Sequence, residues 1–545
     1  MRIQIAVAYT FTALVLTATS TAVPVNRREV SLLPENRRTV ESWEELLSPH
    51  SKLSAPPGEP LESKVRRIRE LADRGDPAGM FGLAVLYEAG LGVPKNLSEA
   101  VLWYSKAAEL GLPGAQLRLG VLFDWGEGMA KDPVVAVRWY ALAATKGFAP
   151  AQFNLGLSMT LGTGTATNLA EAVALFHKAA SRGYAPAMYQ IGMAHLRGRS
   201  VVTNVTEAAK WFQKAADNGL SEAQYALGIC YSEGIGVTQA SGAAVKWYRK
   251  AAEQSYAAAQ YNLGVCYHQG NGVVRDLAQA IHWQRKAADQ GFAAAQFNLG
   301  VSYGNGDGVP KDLSEAIKWY RKAAEQGDAA AEHSLGYYYA KGEGVSQDLI
   351  EAVEWYRRSA EHGYAAAQFD LALSYHTGAG VRRDPAEMVK WYRKAAESGF
   401  AKAQYNLGVC LTEGDGLAQD LVEAAKWFQR AAEQEHALAQ FNLGICYEKG
   451  EGISKDPVEA VRLFRKAAEQ GHSASQSNLG RCYALGIGTK RDLLEAYKWH
   501  ELAVSQGFEG ARKGIATLER VMTKEQISEA LRLARQFKPH KAREE

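Results

Sequence analysis

The sequence predicts an all-α solenoid built from helix-turn-helix repeats, and two observations carry this prediction. The phrase AQYNLGVCY at residues 259–267 returns with small changes at 295, 403 and 439, so its copies lie multiples of 36 residues apart. Tryptophan recurs at one position of the same 36-residue frame in ten of its copies. A period in the thirties that is sustained over many copies is typical of α-solenoids.

The frame divides residues 79–510 into twelve units without a gap. The units start at residues 79, 115, 151, 187, 223, 259, 295, 331, 367, 403, 439 and 475. The recurring tryptophans are Trp103, Trp139, Trp211, Trp247, Trp283, Trp319, Trp355, Trp391, Trp427 and Trp499, and Leu175 and Leu463 fill the two remaining places.

Each unit is predicted to hold two helices. In residues 259–294, Ala259, Leu263 and Tyr267 recur every four residues, which indicates an apolar stripe along one face of the first helix. The segment Gly270-Asn271-Gly272 is predicted to end this helix, and Gly291 is predicted to end the second one.

The second helix has a predicted N-terminal signal. Asp276 stands at the expected N-cap position of its unit. In most units a glutamate follows the capping residue after three positions, as in Asp312 and Glu315. This spacing predicts a capping box, in which both side chains satisfy backbone N–H groups.

The unit pattern A-Q-Y/F-N-L-G…Y…G-x-G-V…D-x-x-E-A…W-x-x-K-A-A-E-Q-G resembles the Sel-one-like repeat (SLR) family, whose members are relatives of tetratricopeptide repeats. The resemblance extends over residues 79–510. It implies a right-handed α/α superhelix with a concave face lined by the first helices. It also implies a role as a scaffold or adaptor for protein complexes.

The flanks of the array are predicted to be capping helices, because a solenoid must cover the core faces at its ends. Residues 61–78 resemble a lone second helix, and residues 511–539 are predicted to form C-terminal capping helices. Thr523 and Gln526 have the spacing of a capping box. Residues 540–545 form a charged tail.

The N-terminus is typical of a secretory signal peptide in residues 1–22. Arg2 precedes an apolar stretch from Ile3 to Leu16, and small residues lie before Val23. A retained signal anchor is the alternative. Residues 23–60 form a polar, Pro-rich linker. We expect a secreted or periplasmic protein, with the lumen of the endoplasmic reticulum as the alternative.

Composition excludes several function classes. The net charge is +3, from 62 basic and 59 acidic residues, so the sequence carries no electrostatic footprint for nucleic acid. No apolar run of membrane-spanning length follows the N-terminus, so we expect no membrane insertion once the signal peptide is removed. The glycines are explained by turns, and no cofactor is expected.

The cysteines are predicted to be small core residues. All five take the eighth position of a unit, and equivalent positions of stacked helices lie about 8–10 Å apart, beyond disulfide reach. These cysteines are Cys230, Cys266, Cys410, Cys446 and Cys482. The chain lacks the second cysteine per repeat of the cysteine-rich bacterial SLR proteins, some of which are penicillin-binding or weak β-lactamases. An enzyme of that subgroup is one alternative function, and an adaptor that resembles degradation-ligase substrate receptors is another.

The candidate partner-binding residues lie on the first helices. Resemblance to tetratricopeptide repeats implies that the third, seventh, tenth and eleventh positions of a unit face the concave groove. Aromatics fill the third position and are enriched at binding hot spots. They are Phe153, Tyr189, Tyr225, Tyr261, Phe297, Phe369, Tyr405 and Phe441. Positions ten and eleven vary between units, as in His268-Gln269 and Glu448-Lys449.

We therefore expect a non-enzymatic scaffold whose groove binds a protein or peptide partner. The alternative for the aromatics is packing between neighbouring first helices. Units four and five depart from the pattern, with Ser200 in place of a glycine and Ala240 in place of the capping residue. We expect a weak point or a change of curvature between residues 198 and 245.

Overall fold

A computed structural model describes residues 60–540 of the chain, and its regular elements are helices. The signal peptide predicted at 1–22, the linker up to residue 59 and residues 541–545 lie outside this range. The chain divides into two compact units, Met1–Phe292 and Ala293–Glu545.

The first compact unit contains thirteen helices in its described part. They are α1 (Leu61–Asp73), α2 (Pro77–Ala89), α3 (Leu97–Glu109), α4 (Pro113–Trp125), α5 (Pro133–Thr145), α6 (Ala149–Leu161), α7 (Leu169–Ala180), α8 (Ala185–Arg197), α9 (Val205–Asp217), α10 (Ser221–Glu233), α11 (Ser241–Glu253), α12 (Ala257–Gln269) and α13 (Leu277–Asp289).

The second compact unit contains fourteen helices between residues 293 and 540. They are α14 (Ala293–Asn305), α15 (Leu313–Ala324), α16 (Ala329–Lys341), α17 (Leu349–Glu361), α18 (Ala365–Thr377), α19 (Pro385–Glu397), α20 (Ala401–Glu413), α21 (Leu421–Glu433), α22 (Ala437–Lys449), α23 (Pro457–Glu469), α24 (Ser473–Leu485), α25 (Leu493–Ser505), α26 (Arg512–Leu518) and α27 (Lys524–Gln536). A 3₁₀ turn, Glu509–Ala511, precedes α26.

The predicted all-α repeat architecture is confirmed: α2 to α25 form twelve hairpins of a first and a second helix. The first helix begins two residues before the sequence frame, at Ala257 in the unit that the frame starts at 259. Gly270 ends that helix in the left-handed region with φ 74°, and Gly291 follows the second helix with φ 88°. The predicted turn chemistry is therefore present.

The predicted capping boxes form only in part. Asp312 accepts a hydrogen bond from the Glu315 backbone N–H at 3.0 Å, as expected. The partner carboxylates have other bonds, however: Glu351 accepts from the indole Nε1 of Trp355, four residues later, at 2.8 Å. A buried indole N–H needs an acceptor, and residues four apart share a helix face. Within residues 60–540, both halves of the box are made at Thr523 and Gln526.

Nine of the twelve hairpins are held by an aromatic ring that lies on a glycine. A Cβ atom added to Gly408 of α20 would lie 2.6 Å from the ring of Phe428 on α21. A second glycine brings neighbouring hairpins together, since a Cβ on Gly416 would lie 2.2 Å from the carbonyl oxygen of Pro385 in α19. Both contacts require the absence of a side chain, which explains why these two glycines recur.

Buried glutamines connect consecutive hairpins. Gln404 donates from Nε2 to the carbonyl oxygen of Ala396 in the preceding repeat at 3.1 Å. Its Oε1 accepts from Nε2 of Gln434, in its own repeat, at 2.8 Å. The first bond recurs at Gln116, Gln152, Gln224, Gln260, Gln368, Gln440 and Gln476.

The second bond of this glutamine ladder is interrupted in three repeats. The side-chain oxygens of Gln116, Gln152 and Gln368 are buried and have no hydrogen-bond partner. Thirty residues after each of them, in place of the usual glutamine, stand Lys146, Arg182 and Ser398. A buried polar atom without a partner costs about 1–3 kcal/mol.

The ends of the array carry extra helices. On α1, Val65 packs against the first repeat, and a Cβ on Gly92 would lie 2.6 Å from its Cγ2 atom. The helix thus occupies the place of a preceding second helix. At the other end α26 and α27 cover α25, with Leu518 and Ala530 buried.

The fourth and fifth repeats show the expected local departures. Ser200 adopts a left-handed backbone with φ 58°. Ala240 offers no side-chain acceptor at the start of α11. A left-handed residue other than glycine costs about 1–2 kcal/mol, and a lost N-cap about 1 kcal/mol. The weak point between residues 198 and 245 stays a prediction.

The interrupted ladder yields a stability prediction. Ser398→Gln should give the Gln368 oxygen a donor and stabilise the chain by about 1 kcal/mol. The matched control is Gln434→Ser, which removes the donor from Gln404 and should destabilise by a similar amount. Urea unfolding followed by circular dichroism measures both. Equal midpoints for Ser398→Gln and the wild type would contradict a stabilising role of the ladder.

Candidate partner-binding surface

Five positions of each first helix share a face that lies opposite the buried leucine. Positions three, four, seven, ten and eleven of a unit fall within about 120° of the helix circumference, because successive residues turn by about 100°. The leucine at position five points to the opposite side and is buried, as at Leu263 and Leu407. The predicted groove positions therefore share a face, and position four joins them.

The structure buries half of the predicted aromatic anchors. Phe153 is 1% exposed, and Tyr225, Tyr261 and Phe297 are 7–8% exposed. These four side chains are part of the core and present too little surface to anchor a partner. The other four predicted aromatics are half-buried: Tyr189, Phe369, Tyr405 and Phe441. For these four, partner binding stays a prediction.

The aromatics at position three pack between two rings. The Phe369 ring centroid lies 5.7 Å from that of Tyr392, on the second helix of its repeat, and 5.3 Å from that of Phe400, just before the next first helix. Tyr405 lies in the same way against Phe428 and His436. The packing that explains these residues therefore involves their own second helix, rather than a neighbouring first helix alone.

Position four carries a polar column that sequence reasoning alone did not single out. His333 at position three lies 2.8 Å from Asp370, at position four of the next repeat. The Asn262 amide lies 3.5 Å from the Tyr225 hydroxyl in the same relation. The available signal was the recurring asparagine of AQYNLG, which is polar yet lies beside the buried leucine. This column links consecutive repeats.

The face is most open in repeats nine to eleven. Positions three and four are buried in the seventh and eighth repeats but half-buried from Phe369 onward. Leu373 at position seven is 40% exposed. We call this surface the open first-helix face. It consists of Phe369, Asp370, Leu373, Tyr405, Asn406, Val409, Phe441, Asn442 and Ile445.

Charged residues border this face near α22. Glu448 forms a 2.5 Å ion pair with Arg481, at position seven of the next repeat. Lys449 is exposed and lies 3.5 Å from Glu451. In the first compact unit, His268 is half-buried and Gln269 is exposed at the corresponding positions. The predicted variable positions thus form a polar rim.

The cysteines have no feature of a reactive site. All five are free thiols. Burial raises the pKa of Cys230 to about 12 and the pKa of the other four to about 11. Reactive cysteines need a lowered pKa, because the thiolate is the nucleophile. Among residues 60–540, no three His, Cys, Asp or Glu side chains converge in a way that could hold a metal ion.

A model of the Sel1 repeat matches twelve consecutive 36-residue segments, from residues 77–112 to residues 473–508. The chain belongs to the Sel1 repeat family. The matched segments begin where the first helices begin. The recognised family and the solenoid fold are thus confirmed, and solenoids of this kind commonly serve as protein-interaction scaffolds without enzymatic activity.

Solved structures of Sel1 repeat proteins resemble this one. A protective antigen of uropathogenic Escherichia coli that displays an SLR fold is 36% identical, over 80% of this chain and 94% of the antigen, with a TM-score of 0.67. A Sel1 repeat protein from Oxalobacter formigenes is 37% identical, over 45% of this chain and 96% of its own, with a TM-score of 0.40. No curated protein sequence matches the chain. None of the described helices of the Sel1 array is long and apolar enough to cross a membrane.

The eighth Sel1 repeat replaces the glutamine pair by an ionisable one. Glu332 is 2% exposed and its Oε2 lies 2.8 Å from Nδ1 of His362. Burial raises the pKa of the Glu332 carboxyl, and the His362 hydrogen bond only partly opposes this shift. The repeat thus holds a carboxylate at the place where nine other repeats hold a neutral amide.

This substitution predicts a pH-dependent stability. A carboxyl whose pKa is raised in the folded state stabilises the fold fully at a pH below its pKa in the unfolded chain. This stabilisation is lost as the pH rises through the pKa of the folded state. Glu332→Gln should therefore raise the melting temperature at pH 7 and change it less at pH 4. The control Gln404→Glu, in the tenth repeat, should lower it more at pH 7 than at pH 4. If Glu332→Gln shifted the melting temperature equally at both pH values, the buried carboxylate charge would not be the cause.

Proposed function

We propose that this Sel1 repeat protein is an exported, non-enzymatic scaffold that binds a protein partner on the open first-helix face. The observation that carries the proposal is the partial exposure of apolar side chains at positions three and seven in consecutive repeats. The pairs are Phe369 and Leu373 in the ninth repeat, Tyr405 and Val409 in the tenth, and Phe441 and Ile445 in the eleventh.

The arrangement suits an extended or helical segment of a partner. Consecutive first helices lie about 8–10 Å apart, so the apolar pairs form a regular row. Aromatic residues in such rows are common binding hot spots. The bordering pair Glu448 and Arg481, together with Asp370, supplies a polar rim that can fix the register of the bound segment. The buried faces of the same rings hold them in place before binding.

Export is the second part of the proposal. Its support is the signal-peptide pattern in residues 1–22, an apolar stretch after Arg2 and small residues before Val23. The related protein from Escherichia coli is a protective antigen, which suits an exported protein. The partner is then expected in the periplasm or outside the cell.

The binding surface is tested by two matched charge insertions. Leu373→Glu places a charge on the open first-helix face and should lower partner capture at least tenfold, about 1.4 kcal/mol. Ile350→Glu alters a more exposed apolar residue, 69% exposed, on the second helix of the eighth repeat, and should leave capture unchanged. Quantitative mass spectrometry of proteins retained by each immobilised full chain measures the effect. The same loss in both variants would mean that the surface is placed wrongly.

Export is tested on the protein purified from its own cells. We expect its first residue near Val23 and its recovery from the fraction outside the cytoplasmic membrane, because a signal peptide is removed during translocation. Intact-mass measurement gives the N-terminus. A mature chain that retains Met1 would contradict the export proposal and leave the binding proposal untouched.

A further inference from the structure

The C-terminal segment of the chain lies in a slot between the second helices of the last two repeats. After α27 the chain is extended at Phe537, with ψ 132°. The Phe537 ring stands edge-on to Trp499, with centroids 5.3 Å apart and planes at 70°. The backbone N–H of His540 donates to the carbonyl oxygen of Glu469 at 2.9 Å. Pro539 lies 3.4 Å from the position of a Cβ atom on Gly471.

The same slot is built four repeats earlier, between α15 and α17. Trp355, Glu325 and Gly327 stand 144 residues before Trp499, Glu469 and Gly471. The two slots also share a hydrogen bond in their walls. Arg321 donates to the Tyr339 hydroxyl at 2.6 Å, and Arg465 donates to the Tyr483 hydroxyl in the later slot.

The earlier slot is an open cleft of about 530 Å³. Its walls are Arg321, Glu325, Tyr339, Asp348, Glu351, Trp355 and Arg358. At the far end of the cleft, the His362 ring lies 3.6 Å from the position of a Cβ atom on Gly327. Pro539 occupies the corresponding place in the later slot.

Among the seven wall residues, one differs between the two slots. Arg358 covers the Trp355 ring at 4.7 Å, whereas the corresponding residue of the last repeat is Leu502. A cation three residues after the tryptophan covers the ring in the same way at Lys322, Lys394 and Arg430. Arg358 is exposed, so it can leave the ring when another π-system replaces it.

We propose that the slot between α15 and α17 binds an extended segment of a partner protein that carries an aromatic residue. The aromatic ring packs on Trp355 in place of Arg358, and a backbone N–H donates to the carbonyl oxygen of Glu325. The chain's own Phe537–His540 segment displays this mode. A second copy is the less suitable occupant, because each copy's segment is already held by its own last repeat at a high effective concentration.

The test uses the full chain and a synthetic peptide, Arg-Gln-Phe-Lys-Pro-His-Lys, which copies residues 535–541. A photo-crosslinking group replaces the glutamine, and mass spectrometry maps the attachment sites. We expect crosslinks within residues 321–358. Replacing the peptide phenylalanine by alanine should lower their yield at least fivefold, and Trp355→Leu in the protein should do the same. Leucine occupies this frame position naturally at Leu463, so this variant keeps a side chain that the fold accepts.

Three controls keep the outcome specific. Trp427→Leu changes the same position two repeats away and should leave the crosslinks at 321–358 unchanged. Leu373→Glu should also leave them unchanged, so failure of the first-helix surface and failure of this slot are distinguishable. Crosslinks confined to residues 465–499, which report exchange with the chain's own segment, would overturn the proposal. A yield that is insensitive to Trp355→Leu, or no crosslinking at all, would overturn it as well.

Discussion

In nine of the twelve hairpins, a contact between a glycine of the first helix and an aromatic ring of the second helix sets the distance between the two helices. Gly408 and Phe428 are one example, and Gly444 with Phe464 and Gly336 with Tyr356 are others. Because the ring lies directly on backbone, the two helices of a hairpin are brought close together. The remaining faces of both helices must then be covered by neighbouring hairpins, and this requirement turns a hairpin into an array. In the tenth and eleventh repeats, the orientation of the open face follows from the same contact.

The fold could be predicted from the sequence because the repeat supplies internal comparison. Twelve aligned copies show which positions hold glycine, leucine and tryptophan, and each of these has a local physical reason. The departures could be predicted too, because Ser200 and Ala240 differ from the residues that most other repeats have at the same positions. Side-chain bonding was less predictable. Glu351 bonds to Trp355 instead of closing a capping box, because a buried indole N–H competes for the same carboxylate.

The candidate surface was predicted less well than the fold, and the reason lies in packing. Helical periodicity gives the direction of a side chain, but the covering of that side chain depends on rings contributed by other elements. Phe153 and Phe369 occupy the same frame position, yet Phe153 is 1% exposed and Phe369 is half-buried. The slot that holds Phe537 could not be foreseen either, since it depends on how the last helix returns the chain toward Glu469.

The glutamine ladder has a consequence for how such a protein changes over evolutionary time. Both amide side chains of each ladder step, such as Gln404 and Gln434, lie thirty residues apart in one repeat, and the third partner is a backbone carbonyl of the preceding repeat. A carbonyl is present whatever residue precedes. Unequal recombination that inserts or deletes 36 residues therefore leaves every ladder step intact at the new junction. The array can lengthen or shorten by whole repeats without compensating substitutions, so its reach can be selected separately from the chemistry of its surfaces.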